Sequence, residues 1–147
     1  MLSEAAHLDD QSPYTSLYLG LAGQRTGRTA DARRAFQKGL AAAERQVVNA
    51  PRSGYYHAIL AYFCAQTGQA GRAAMETAQA LQLAPHHNDT LWMATLAYER
   101  LGNRDAALKT LESAPRSLLE DMQRWPEASA LTGDERFNRL LAAAGPR

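Results

Sequence analysis

The chain holds one cysteine, Cys64, in 147 residues. A single thiol excludes an intrachain disulfide and leaves the redox compartment open. No apolar run approaches the roughly 20 residues that a membrane-spanning helix needs, which excludes direct membrane insertion by a helix. Charge of one sign is also missing: 16 Lys and Arg stand against 15 Asp and Glu, for a net +1. That balance removes the general attraction of a basic chain for nucleic acid or an anionic membrane. Aromatic residues make up only 7% of the chain. Much of its apolar content is alanine, which favours helix and lets helices approach closely but fills little volume. The opening MLSEAAHLDDQ carries acids where a secretory leader would carry bases and an apolar run. A soluble helical protein is expected, cytoplasmic, or periplasmic if it follows an upstream membrane helix.

Groupings that carry chemistry are equally sparse. Residues 22–29, AGQRTGRT, approach a phosphate-loop spacing, but Ala22 and Arg28 replace its first Gly and its Lys. Such a loop must also follow a buried strand, and this one falls in a helical pattern. His86 and His87 are adjacent, and no second His or Cys cluster joins them to hold a metal. No Ser or Cys stands in a nucleophile signature. Glu99 and Glu112 read as single surface carboxylates. Arg25, Arg28, Arg33, Arg34 and Lys38 form the densest basic cluster, without the interleaved aromatics of a nucleic-acid surface. No enzyme, cofactor, metal or nucleic-acid partner is expected.

Helical hairpins are what the sequence does contain. In residues 91–114, Leu91, Ala94, Thr95 and Tyr98 fall at helical spacing on one face. Gly102 suits a helix end and Asn103 a helix start. Ala107, Leu111 and Ala114 repeat the apolar spacing on a second helix. Upstream, Ala61, Cys64, Gly68, Ala73 and Ala80 repeat the pattern, with Pro85 closing it; Gly68 to Gly102 is 34 residues. Leu19, Gly20, Gly27, Ala32 and Phe36 give a third copy, with departures at Gly23 and Gly39. Gly27 to Gly68 is 41 residues, seven more than the later step. Those seven are expected to lengthen the helix carrying Ala32, Phe36, Leu40, Ala43 and Val47 by about two turns, roughly 10 Å. Thr29, Ser53, and Asn88 or Asp89 are the expected caps of the following helices. His57 is expected to be a partly buried structural histidine and Cys64 a core residue.

These residues and the 34-residue period resemble the tetratricopeptide repeat family. The resemblance covers roughly residues 1–114 and implies an all-α, right-handed superhelix of hairpins. Residues 1–12 would be a partial repeat, 13–50 the first repeat with its extended second helix, 53–85 the second, 88–115 the third, and 116–147 a C-terminal helical cap. The half-repeat at the start suggests the C-terminal part of a longer protein; a short protein with a lone capping helix is the alternative. The ending around residues 133–141, GDERFNRLL, is similar to segments that follow such repeats in bacterial receptor-like Ser/Thr kinases and transcriptional regulators.

In that family the first helix of each hairpin lines a concave groove that binds a peptide or helix. Carried over, the groove residues are Tyr14, Leu17, Leu21 and Arg25; Tyr55, Tyr62 and Gln66; and Trp92, Leu96, Glu99 and Arg100. Leu17 and Leu21 stand where chaperone-tail binders carry a Lys and Asn clamp, so such tails are not the expected ligand. An apolar groove with a polar rim suits an amphipathic helix or short apolar peptide, with Tyr62 and Trp92 as anchors. A non-enzymatic interaction module is therefore expected, with self-association of a larger protein as the alternative. The segment holding Met122, Trp125 and Phe137 offers a different outcome: it could fold back and fill the groove itself.

Overall fold

The computed structural model describes residues 12–145 of the chain. Ordered elements among them are all helical: α1 Pro13–Arg25, α2 Thr29–Asn49, α3 Gly54–Gln66, α4 Ala70–Leu83, α5 Asn88–Arg100, α6 Arg104–Thr110, α7 Arg116–Gln123, α8 Ser129–Thr132 and α9 Glu135–Ala143. Short 3-10 turns follow α6 at Leu111–Ser113 and precede α8 at Pro126–Ala128. The protein is all-α, and no helix among the described residues is long and apolar enough to cross a membrane. The partial repeat expected over residues 1–12 lies, up to residue 11, outside the described residues.

The three hairpin turns are built alike. Gly27, Gly68 and Gly102 have φ of 77°, 83° and 77°, a left-handed conformation that glycine adopts without steric penalty. The amide after each glycine bonds back to the helix it leaves: Arg28 to the Gly23 carbonyl, Gln69 to Cys64 and Asn103 to Tyr98, at 2.7–2.9 Å. This bond satisfies a carbonyl that the helix end would otherwise leave unpaired. Thr26 and Thr67 add the same hydroxyl bond, each donating to the carbonyl four residues back at 2.8 Å. The reversals set α1 beside α2, α3 beside α4 and α5 beside α6, while α3 also packs on α2 and α5.

Helix starts follow the expected caps in part. Ser53 accepts from the Tyr56 amide and Asn103 from the Ala106 amide. Thr29 does not cap α2: it is the first helical residue, and Arg28 occupies the capping position without a side-chain bond. Neither Asn88 nor Asp89 caps α5; His87 does, its Nδ1 accepting from the Thr90 amide at 3.3 Å. A ring nitrogen with a free lone pair serves the same purpose as a short oxygen side chain.

The core is made of few rings and many small contacts. Ala43, Ala58, Ala61, Ala73, Ala80, Ala94, Ala97 and Ala107 are fully buried. Phe36, Tyr62 and Phe63 pack at ring separations of 5.6–6.3 Å in tilted and edge-on arrangements. Each phenylalanine has a glycine beneath it. A methyl at Gly20 would lie 2.4 Å from the Phe36 ring, and one at Gly39 would lie 2.3 Å from the Phe63 ring. Thr77 and Thr95 are fully buried and donate their hydroxyls to the carbonyls of Ala73 and Leu91 at 2.7 Å, so neither leaves an unpaired polar group. Cys64 is buried, and burial pushes its thiol up to about 11. His57 is buried too. Its Nε2–H donates to the Pro51 carbonyl at 2.7 Å, and Nδ1 lies 2.5 Å from a Glu76 oxygen. It ties α3 to α4 and to the preceding loop.

The glycine seats give a sign test. Alanine in place of a helical glycine gains about 1 kcal/mol of propensity, but overpacking costs about 1–3 kcal/mol. Gly39→Ala is expected to lower stability by about 1 kcal/mol, whereas Gly71→Ala, with nothing within 4 Å of its new methyl, should raise it by about 0.5 kcal/mol. Urea unfolding midpoints measure both. A more stable Gly39→Ala protein would show that the ring does not rest there.

Candidate functional site

The faces of α1, α3 and α5 meet on one side of the molecule, and the C-terminal segment crosses them. Pro126 determines how it crosses. A residue before proline is pushed out of the helical region, and Trp125 accordingly leaves α7 extended, at φ −94° and ψ 111°. Its ring turns onto α5, edge-on to Trp92 with centroids 5.6 Å apart. Arg25, in the last turn of α1, lies over the same ring at 5.7 Å from its centroid. The guanidinium then reaches Glu127 with two bonds, Nε to Oε2 at 2.7 Å and Nη2 to Oε1 at 2.6 Å. The first described helix is thus joined to the C-terminal segment.

The strap of Trp125, Pro126 and Glu127 divides this side into two clefts. One, of about 200 Å³, is lined by Tyr14, Leu17, Tyr18, Tyr55, Asp89, Trp92, Met93 and Trp125. The other, of about 350 Å³, is lined by Gln24, Tyr62, Gln66, Leu96, Glu99, Arg100, Arg104, Trp125, Glu127 and Ala130. The first is mainly aromatic and apolar, and the second mixes charged and amide side chains with apolar ones. Tyr14 stacks on Tyr55 at 6.4 Å, and Gln24 donates to Gln66 at 3.2 Å, so side chains span the space between α1 and α3.

The eleven groove residues expected from the sequence separate into three groups. Leu17, Leu21, Tyr62 and Leu96 are core side chains, exposed by 6%, 1%, 2% and 4%, and present almost no surface to a partner. Tyr62 packs edge-on to Phe36, its hydroxyl accepting from Gln66 at 2.9 Å, and burial pushes its phenol up. Arg25 and Glu99 are engaged within the chain: Arg25 by the strap, and Glu99 by two bonds from Arg104 at 2.7 and 3.0 Å. Glu99 is therefore not the single carboxylate its position suggests. Tyr14, Tyr55, Gln66, Trp92 and Arg100 keep exposed surface. Tyr18, 59% exposed, joins them and was not expected. For Tyr62 there was a readable signal: α3, GYYHAILAYFCAQ, has no Asp, Glu, Lys or Arg, the mark of a helix largely enclosed by its neighbours; Leu17 and Leu21 on α1 and Leu96 on α5 carried no such signal.

The cap carries its own ion network. Arg104 also bonds Asp134 at 3.3 Å, and Arg136 bonds both Asp134 and Asp105, fastening α9 to α6. Arg116 donates to the carbonyls of Leu141 and Ala144 at the end of α9. Among the described residues no group of three or more His, Cys, Asp or Glu side chains is placed to hold a metal ion. The chain matches no family model and no curated protein.

The strap should respond to acid. The Arg25 guanidinium beside Glu127 holds its carboxyl below the ordinary range. The pair therefore stabilises the fold fully above the unfolded glutamate value of about 4.3, and that contribution is lost as pH falls through the lower folded value. Tryptophan emission should stay constant from pH 7 to about 5 and move to the red only below about 4. Glu127→Gln should already show a red-shifted spectrum at pH 7; an unchanged spectrum would mean that this pair does not hold the strap.

Proposed function

We propose that the chain is a helical-repeat module of the tetratricopeptide kind, a right-handed superhelix of three hairpins with a C-terminal cap. It binds a peptide or short helix of a protein partner on its concave side and carries out no catalysis. Support for the repeat comes from the three matching glycine turns, two of them 34 residues apart. The observation that carries the binding reading is the row of accessible rings on one side: Tyr14 and Tyr18 are exposed by 40% and 59%, with Tyr55 and Trp92 half-buried beside them. Tyrosine, tryptophan and arginine are the side chains that most often anchor interfaces, because they bury large area with little loss of conformational freedom. Arg100 at the far end supplies the cation. Such a module would be the sensory or scaffolding end of a larger bacterial signalling or regulatory protein.

Peptide-display selection against the immobilised protein tests this. Peptides should be enriched that bind with micromolar affinity and lose about tenfold on Tyr55→Ala, a truncation of an accessible anchor, with helicity by circular dichroism unchanged. Tyr62, a core residue, is unsuitable for that purpose. No enrichment, or binding indifferent to Tyr55→Ala, would count against the groove as the site.

A further inference from the structure

The geometry points to a seat, on the concave side, for an aromatic residue followed two positions later by an acidic one. We propose that Trp125-Pro126-Glu127 occupies that seat as an internal ligand, and that the partner is a peptide carrying the same aromatic-x-acidic pattern. This rests on the binding reading above and names its class of partner.

One cation recognises both features. Arg25 lies over the Trp125 ring while its two nitrogens hold the Glu127 carboxylate. A planar guanidinium suits both tasks, with its face against a ring and its edge toward a carboxylate. Trp92 meets the same ring edge-on. A peptide with an aromatic residue and an acid at this spacing satisfies Arg25 and Trp92 together; one with either feature alone satisfies half of the seat.

The internal ligand fits its seat imperfectly. The Trp125 indole N–H is buried and has no acceptor. A donor removed from water without a partner disfavours the docked state. Phenylalanine in the same place would present a ring to Trp92 and Arg25 without that penalty. The strap is also separable from the core it adjoins. Met122 before it and Ala128 and Leu131 after it are fully buried, whereas Trp125 and Glu127 are only partly so. Withdrawal of the Trp125 ring would leave those anchors in place and merge the two clefts it divides. Arg100, which has no ion pair among the described residues, would then face a second acid in a longer ligand. The outcome is competition: an external peptide binds only to the extent that it displaces the strap.

The test uses the full chain carrying Trp125→Ala and Glu127→Gln, compared with wild type. The probe is a fluorescein-labelled peptide of residues 123–130, QRWPEASA, read by anisotropy. The opened variant should bind it about tenfold more tightly than wild type. Replacing the peptide's Trp by Phe should tighten binding further; replacing its Glu by Gln, or adding Arg25→Ala to the protein, should weaken it about tenfold. Equal binding by wild type and variant, or indifference to the Glu-to-Gln change, would overturn the proposal. If the double substitution unfolds the chain, Glu127→Gln alone, which leaves every core side chain intact, gives the same comparison. Peptides from display that bind the opened variant while QRWPEASA does not would refute the internal ligand and leave the binding reading standing. Absence of binding by both would remove the two together.

Discussion

Two phenylalanine rings resting on two glycines fix how the first three helices sit. Phe36 of α2 covers Gly20 of α1, and Phe63 of α3 covers Gly39 of α2. Each ring fills a space that exists only because a side chain is missing below it. In a chain this poor in aromatics and rich in alanine, such seats let helices approach closely while still burying large apolar area. The pattern changes after α3. Gly54, at the start of α3, meets Ala84 and the Ala80 carbonyl at the end of α4, and from there buried alanines and threonines set the spacing. Held at this distance, α1 and α3 meet through Tyr14, Tyr55, Gln24 and Gln66. Arg25, at the end of α1, is placed to reach the strap.

The helices and their turns were legible because their causes are local. The glycine ending each first helix, the interrupted periodicity and the proline before each new hairpin all act within a few residues. Ser53 and Asn103 as caps, and His57 and Cys64 as buried residues, follow from the same short-range logic. The capping of α5 was misplaced because several polar residues, His87 to Asp89, compete at one helix start and sequence does not rank them. At α2 the helix begins one residue early, with Arg28 at the capping position and Thr29 already in the first turn.

The groove was less legible, for a physical reason. Positions transferred from a repeat assume that every hairpin shows the same face to solvent. Here α3 is enclosed by α2, α4 and α5, so Tyr62 became core. Leu17 and Leu96 lie at the floors of the two clefts but are almost wholly covered by their neighbours, and Leu21 is fully buried. Glu99 found its partner Arg104 across the Gly102 turn and Arg25 its partner 102 residues away in the chain, and helical periodicity relates neither pair because each joins two different elements. Pro126 ends a helix by a local rule, but only the fold shows that the break delivers an indole onto Trp92.

The proposed binding on this side of the molecule depends on the strap that lies across it. The most direct measurement is a double-mutant cycle on Trp92 and Trp125, each replaced by leucine singly and together, with unfolding free energies compared. Two rings in edge-on contact at 5.6 Å should show a coupling of about 0.5–1.5 kcal/mol beyond the sum of the single effects. Strict additivity would mean that the two rings do not touch, and the strap would not be the occupant of the groove.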